Sequence, residues 1–318
     1  MDILIIGGAG MLGQKLAQSL QRTGALAGRT ICGITLADMV VAAKPPGPVA
    51  VAVEVLDLAQ AGRLIAARPD VIFHLAAVVS GEAEADFDKG YAVNMDGSRN
   101  LFEAIRAQRD YCPRVVFASS TAVFGAPFPD EIGDEFCVTP ASSYGTQKAI
   151  TELLVNDYSR RGIFQGIGLR LPTICIRPGA PNRAASGFFS NILREPLVGL
   201  PAVLPVRDTL RHWFASPQAA VGFFERAASM DLAPLGVRRC LNMPGLSATV
   251  AEEIEALRQF AGQKAVDLIR LAPDPAIAAI VETWPQRFDA ARATGLGFVA
   301  ETSFDQIIAA HIAAELGG

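Results

Sequence analysis

Apolar and polar positions in the first half of the chain follow two alternating periods. Short apolar runs closed by glycine, proline or aspartate read as buried strands, and segments with apolar positions three and four apart read as helices. Asp2–Ile6 is the first run, bounded by Gly7 and Gly8, and Leu12, Leu16 and Leu20 follow at helical spacing. Further runs predict strands over Thr30–Ala37, Val49–Val55, Asp70–Leu75, Pro113–Ala118 and Gly166–Leu171, with helices over 57–67, 84–108 and 144–161 among them. Such alternation specifies an α/β fold, a Rossmann doubly wound parallel sheet. From Arg177 the pattern loosens into Pro- and Gly-rich loops, with shorter helices over 187–194, 216–229 and 249–261 and a brief strand at Arg239–Met243. The expected organisation is a Rossmann domain over residues 1–174 and a smaller α-rich C-terminal domain over 175–318, mainly substrate-binding, that returns short segments to the sheet.

The turn after the first strand, Gly7-Gly8-Ala9-Gly10-Met11-Leu12-Gly13, carries glycines at two overlapping dinucleotide-binding spacings. Bare backbone there lets a pyrophosphate approach the start of the following helix, whose free N–H groups and dipole favour an anion. Strand, glycine turn and helix in that order are the context that gives the pattern weight. Asp38 closes the second strand roughly 20 residues later, placed to accept hydrogen bonds from the adenosine ribose and to repel a 2′-phosphate. Met39 and Val40 follow it rather than an arginine, which favours NAD and leaves NADP possible. Asp57, followed by Leu58, sits where an acid would touch adenine, or else it caps the next helix. The small residues after Leu75, Ala76 and Ala77, leave room for a cofactor or allow close packing.

A second constellation joins Ser120, at the carboxyl end of a strand, to Tyr144 and Lys148. Tyr and Lys four apart share one helix face. A neighbouring ammonium favours phenolate and so brings a tyrosine base closer to neutral pH. Ligands of a doubly wound sheet gather at the carboxyl ends of its strands, which places Ser119, Ser120 and Thr121 on the cofactor side.

Composition removes other classes. The 318 residues carry 28 Lys and Arg against 32 Asp and Glu, with no basic block, so nucleic acid is not an expected partner. No apolar run approaches the roughly 18 residues of a membrane span, and the N-terminus lacks an export signal, which places the protein in the cytoplasm. Five scattered cysteines without a CxxC read as reduced thiols, and three histidines share no metal-ligand spacing.

With these residues in view, the chain resembles the extended short-chain dehydrogenase/reductase family, that of the NAD-dependent epimerases and dehydratases, over nearly its full length. The matching stretches are GGAGMLG at 7–13, HLAA at 74–77, VNMDGSRN at 93–100, SSTAVFG at 119–125, YGTQK at 144–148 and LRLPTICIRPG at 169–179. The resemblance implies that Ser120, Tyr144 and Lys148 are catalytic, that Asn94 supports the site, and that Pro172 and Thr173 lie beside the nicotinamide. Ser119 or Thr121 would share the serine's role. Within the family the likeness is strongest to dehydrogenases of small sugar acids, which implies oxidation of the C2 hydroxyl of D-erythronate, with a nucleotide-sugar epimerase or dehydratase that keeps its NAD as the alternative. A small anion needs a cation: Arg211 and Arg177 are the candidates for its carboxylate, and Ser80, Asn182 and His212 for its hydroxyls. A homodimer is expected, and no metal.

Overall fold

The computed structural model describes residues 1–179 and 185–317. Seven parallel strands form the main sheet: β1 (Asp2–Ile6), β2 (Gly33–Asp38), β3 (Ala50–Val55), β4 (Val71–His74), β5 (Arg114–Ser120), β6 (Gln165–Leu171) and β7 (Cys240–Asn242). Their order across the sheet is β7-β6-β5-β4-β1-β2-β3. Strand order reverses between β1 and β4, and that switch point is where a doubly wound sheet opens a crevice for a ligand.

Side chains alternate across a strand, so β1 alone shows both layers. Ile3 and Ile5 pack with Leu16 and Leu20 of α1 (Met11–Thr23), while Leu4 and Ile6 face Leu101, Phe102 and Ile105 of α2 (Gly97–Arg106). The second layer also takes in Val155 of α3 (Ser143–Arg160), the helix that carries Tyr144 and Lys148. Each such side chain, taken fully out of water, contributes about 1.5–3 kcal/mol.

The helix expected over 84–108 is broken. A short helix at Ser80–Ala85 is followed by one that starts at Phe87, widens into a π-helix over Tyr91–Asp96 and continues as α-helix from Gly97. Asp86 causes the break, its Oδ1 accepting from the Lys89 N–H at 3.0 Å as a cap.

The second half holds more strand than its sequence suggests. Arg211–Ala215 lies between Thr173–Ile174, parallel to it, and Leu246–Thr249, antiparallel. Ala202–Leu204 pairs with Ile269–Leu271. Around them α4 (Gly187–Leu197), α6 (Val250–Ala261) and α7 (Phe304–His311) close a separate core with Phe189, Phe214, Leu257 and Ile307 at its centre. One helix departs from this arrangement. α5 (Pro217–Ser229) packs beside α1 on the main sheet, where Phe223 and Phe224 join the core of Ile3 and Phe73.

Among the described residues no helix is long and apolar enough to cross a membrane, and no group of three or more His, Cys, Asp or Glu could hold a metal ion.

Candidate active site

The glycine turn lies at the switch point. The Gly7 and Gly8 N–H groups both donate to Ala37 O, at 2.9 and 3.1 Å, so β2 holds the turn against the sheet. Gly7 has φ +88°, and a Cβ on it would stand 2.6 Å from Ala76 N. A Cβ on Gly13 would stand 2.2 Å from Gly7 O. Both positions therefore require glycine, one for conformation and both for close approach. Gly10 heads α1 with no side-chain cap, which leaves the amides of the first turn, Met11 and Leu12 among them, available to an anion. Asp38 is tied to this turn: its Oδ2 accepts from the Ala9 N–H at 3.0 Å and its Oδ1 from the Met39 N–H at 2.7 Å. Met39, Val40 and Val41 beyond it are exposed and uncharged. A nicotinamide dinucleotide fits this cradle: bare backbone at the helix start and a carboxylate at the second strand end are the donor and acceptor sets it needs.

Of the two roles expected for Asp57, the cap is seen. Asp57 caps the short helix Leu58–Gln60, its Oδ1 accepting from Ala59 N–H at 2.8 Å, and Leu58 is buried against Gly97. Leu75, Ala76 and Ala77 follow β4, half-buried, with Ala76 against Gly7.

At the other end of the crevice, β5 ends in Ser119 and Ser120, and the two hydroxyls part company. Ser120 Oγ accepts from the Ala122 N–H at 3.1 Å and lies within hydrogen-bonding reach of the Tyr144 phenol. Ser119 Oγ points the opposite way and donates to Glu152 Oε1 at 2.6 Å. The expectation that Ser119 touches the cofactor or shares the work of Ser120 gives way to this buried bond. Thr121 is buried in the turn that follows.

Ser142 caps α3 through Gly145 N–H, and Glu84 Oε2 accepts from Ser143 N–H at 3.0 Å, so the 80–85 helix is pinned to the start of the catalytic helix. Gly145 must be glycine, because a Cβ there would lie 2.1 Å from Ala122 O. The first turn of α3 is thereby pressed against the segment after Ser120, which brings Tyr144 to it.

Lys148 is 2% exposed; its Nζ donates to Ala118 O at 2.8 Å and sits 5.7 Å from the Tyr144 ring centroid. Burial pushes the Lys148 ammonium down to about 7, opposed by the charge of Glu152. Burial likewise pushes the Tyr144 phenol up to about 12, opposed by the Ser120 hydrogen bond. In the protein alone, desolvation of both groups opposes the expected effect of the ammonium on the phenol.

Asn94 lies in the interior beside the start of the catalytic set. It is 2% exposed, its Oδ1 accepts from Val78 N–H at 2.8 Å, and its Nδ2 donates to Val78 O and to Gln147 Oε1. Its polar groups are consumed in fixing the 78–80 loop to α3, one residue before Lys148.

On the substrate side several of the expected residues are engaged with neighbours. Ser80 is half-buried at the start of its helix. Pro172 is buried, and Thr173 Oγ1 shares a 2.6 Å hydrogen bond with His212 Nε2. His212 is 3% exposed, stacked on Phe189 with ring centroids 5.2 Å apart, and burial pushes it down to about 3. The expectation that His212 reads substrate hydroxyls is thus replaced by a neutral, packed histidine that fixes Thr173. Arg211 pairs with Glu252 at 3.3 Å and donates to Ser247 O at 2.9 Å, which occupies its guanidinium at the sheet edge. Arg177 is held through its backbone alone: its N–H donates to Ser190 Oγ and its carbonyl accepts from Arg194. Its half-buried guanidinium has no hydrogen bond or ion pair among the described residues, and burial and the Arg194 charge both push its pKa down. Asn182 lies outside the described residues.

Sequence reasoning passed over Glu152 and Arg170. Glu152 is one turn beyond Lys148, a spacing that signals a shared helix face. Arg170 gave no signal, as it sits alone in an apolar strand.

A glycine cradle at the switch point, with Ser, Tyr and Lys at the strand ends beyond it, defines a Rossmann enzyme that works on a bound nicotinamide dinucleotide. The sequence profile of the NAD dependent epimerase/dehydratase family matches residues 3–214, and the chain belongs to that family. It is 46% identical to D-erythronate dehydrogenase of Cupriavidus necator, with 98% of each chain covered. It is 42% identical to D-erythronate dehydrogenase of Haemophilus influenzae, covering 97% of this chain and 98% of that one. A solved structure described as the nucleoside-diphosphate-sugar epimerase from Agrobacterium tumefaciens is 60% identical with a TM-score of 0.97, covering 100% of this chain and 95% of the other.

Proposed function

We propose that the chain is an NAD-dependent dehydrogenase that oxidises the C2 hydroxyl of D-erythronate to 2-dehydro-D-erythronate. The observation that carries this reading is the reach of the likeness to the two D-erythronate dehydrogenases, which runs through the C-terminal half where substrates are selected. In this reading the Gly7–Gly13 turn seats the pyrophosphate, Asp38 takes the adenosine ribose and favours NAD over NADP, and Pro172 and Thr173 line the nicotinamide end. Lys148 takes the nicotinamide ribose.

Tyr144 removes the hydroxyl proton, and Ser120 donates to the same substrate oxygen and orients it. Bound NAD supplies the hydride acceptor and a positive ring charge, which lowers the cost of a phenolate beside it. Because burial alone leaves the phenol near 12, base catalysis here depends on charge brought in with the cofactor and on Lys148 remaining an ammonium. Arg177 is assigned the substrate carboxylate: its half-buried guanidinium has no hydrogen bond or ion pair among the described residues, whereas Arg211 is paired to Glu252. The expected homodimer belongs to this reading; light scattering that found only a 33.6 kDa species would remove it.

The description of the Agrobacterium structure favours a second reading, an epimerase of nucleotide sugars that keeps its NAD. One assay divides the two. With NAD in excess and D-erythronate supplied, a dehydrogenase accumulates NADH over many turnovers. No NADH with D-erythronate, together with interconversion of a nucleoside-diphosphate sugar, would replace the first reading by the second.

A further inference from the structure

Behind Lys148 the interior holds a second charged group that the reaction does not touch. Glu152 is 3% exposed, one turn further along α3. Arg170 of β6 grips it in a fork, Nε to Oε1 at 3.0 Å and the terminal nitrogen to Oε2 at 2.8 Å, while Ser119 closes on Oε1. Arg170 is fixed in turn by Asn242 Oδ1 at 3.3 Å and by the face of Phe124, 4.9 Å away. Asn242 is bonded to Ile132 O and to Asp134. Every polar atom that could let the carboxylate swing is engaged, so the charge is immobile.

A buried ion pair of this kind adds little net stability, because desolvation offsets most of the attraction. Its effect falls on its neighbours, since a fixed charge acts strongly across a dry interior. Lys148 is the neighbour. The titratable groups around it are Tyr144 and Glu152 on α3, His74 on β4 and Arg170 on β6, with Cys240 on β7 and Asp134 beyond Arg170. Burial holds His74 near 3 and raises the Cys240 thiol, so both are uncharged. Glu152 is thus the negative charge that faces Lys148 within its own helix.

We propose that Glu152 is a positioning residue for the reaction, a fixed negative charge one helical turn behind Lys148 that keeps its side chain an ammonium turned to the Ala118 carbonyl. The role of Lys148 in turnover rests on the function proposed above, but its charge state does not, and the two are measured separately. The chain has only five lysines, Lys15, Lys44, Lys89, Lys148 and Lys264, so 13C labelling of the lysine ε-carbon gives a spectrum in which each can be followed through a pH titration. Lys148→Met assigns the signal.

The expected result is a Lys148 midpoint lowered by at least one pH unit in Glu152→Gln, where Arg170 is left as an unopposed cation. Glu152→Asp should bring the midpoint part of the way back. The double variant Glu152→Gln with Arg170→Met removes both charges, guards against misfolding, and should titrate between the wild type and the single variant. Circular dichroism and thermal unfolding report that each variant is folded. In turnover of D-erythronate, Glu152→Gln should move the alkaline rise of kcat to higher pH. Its kcat at neutral pH should fall about tenfold for each pH unit by which that rise moves, with KM for the acid changed less than about threefold. A folded Glu152→Gln protein whose Lys148 midpoint is unchanged overturns the inference. Wild type inactive on D-erythronate, with the Lys148 midpoint of Glu152→Gln lowered as expected, overturns the function and leaves the inference standing.

Discussion

The two ends of the crevice are built on different principles. The cradle at β1 is made of backbone: glycines at 7, 10 and 13, a helix start without a cap, and one acid hydrogen-bonded to Ala9. All of its parts lie within the first 38 residues. The residues expected at the substrate end, Thr173, Arg177, Arg211 and His212, are side chains, and their neighbours decide what each is free to do. A backbone site is specified by where a side chain is missing, and that is written in a short motif. A side-chain site is specified by who else is paired, which only the folded chain determines.

The most severe break lies between the two ends. Tyr144→Phe removes the proton acceptor and nothing from the cradle, so kcat should fall about 10²–10⁴-fold with the Kd for NAD, read by fluorescence titration, unchanged. A variant keeping more than about a tenth of turnover would remove Tyr144 as the base.

Next, the substrate end is tested by two arginines of equal charge and unequal pairing. Arg177→Ala leaves the substrate carboxylate without its cation, so KM for D-erythronate should rise about 10–100-fold, in line with a charged hydrogen bond of about 1.5–3 kcal/mol. Arg211→Ala deletes a partly exposed pair with Glu252 and should change KM less than about threefold. The reverse ranking would show that pairing to Glu252 is released when substrate arrives.

A smaller effect sharpens the cradle. Asp38→Ala removes the repulsion of a 2′-phosphate and should narrow the preference for NAD over NADP about tenfold, measured as the ratio of kcat/KM for the two coenzymes. An unchanged ratio would mean that the acid serves only Ala9.

The smallest effect concerns acid. His212 is held neutral in the folded protein, near 3, whereas the unfolded chain would protonate it near 6.5. Its contribution is therefore complete above pH 6.5 and lost as the pH falls toward 3, where the unfolded state takes a proton that the folded state refuses. His212→Phe keeps a ring on Phe189 and should lower the midpoint of acid unfolding by about half a pH unit, followed by circular dichroism. A midpoint that stays put would assign the acid sensitivity to His74, which is buried in the same way.

The same contrast explains what could be read beforehand. The order of strands and helices through Leu171, the glycine turn, Asp38 and the Ser120, Tyr144 and Lys148 set were legible because periodicity and motif are local. Asn94 has the supporting place expected of it, but its partners Val78 and Gln147, and the Glu152 that holds Ser119, are distant in sequence and come near only in the fold. The strands at 211–215 and 246–249 escaped notice because they are short and take their pairing from each other, 35 residues apart between their first members. The activation of Tyr144 by Lys148 was read from spacing, and spacing carries no information about desolvation.

The course of the chain through the main sheet also bears on its synthesis. When Leu171 leaves the ribosome, six strands of the sheet and Tyr144 and Lys148 of α3 exist, yet Phe73 and Val116 still lack the cover that Phe223 and Phe224 bring. The edge of β6 stays open until Cys240–Asn242 pairs with it. A nascent chain halted between these points presents an apolar sheet face and a bare strand edge at once, the two features that invite chaperones and misassociation. Its period of risk on the ribosome is thus about seventy residues of translation, roughly 4–14 s at 5–20 residues per second.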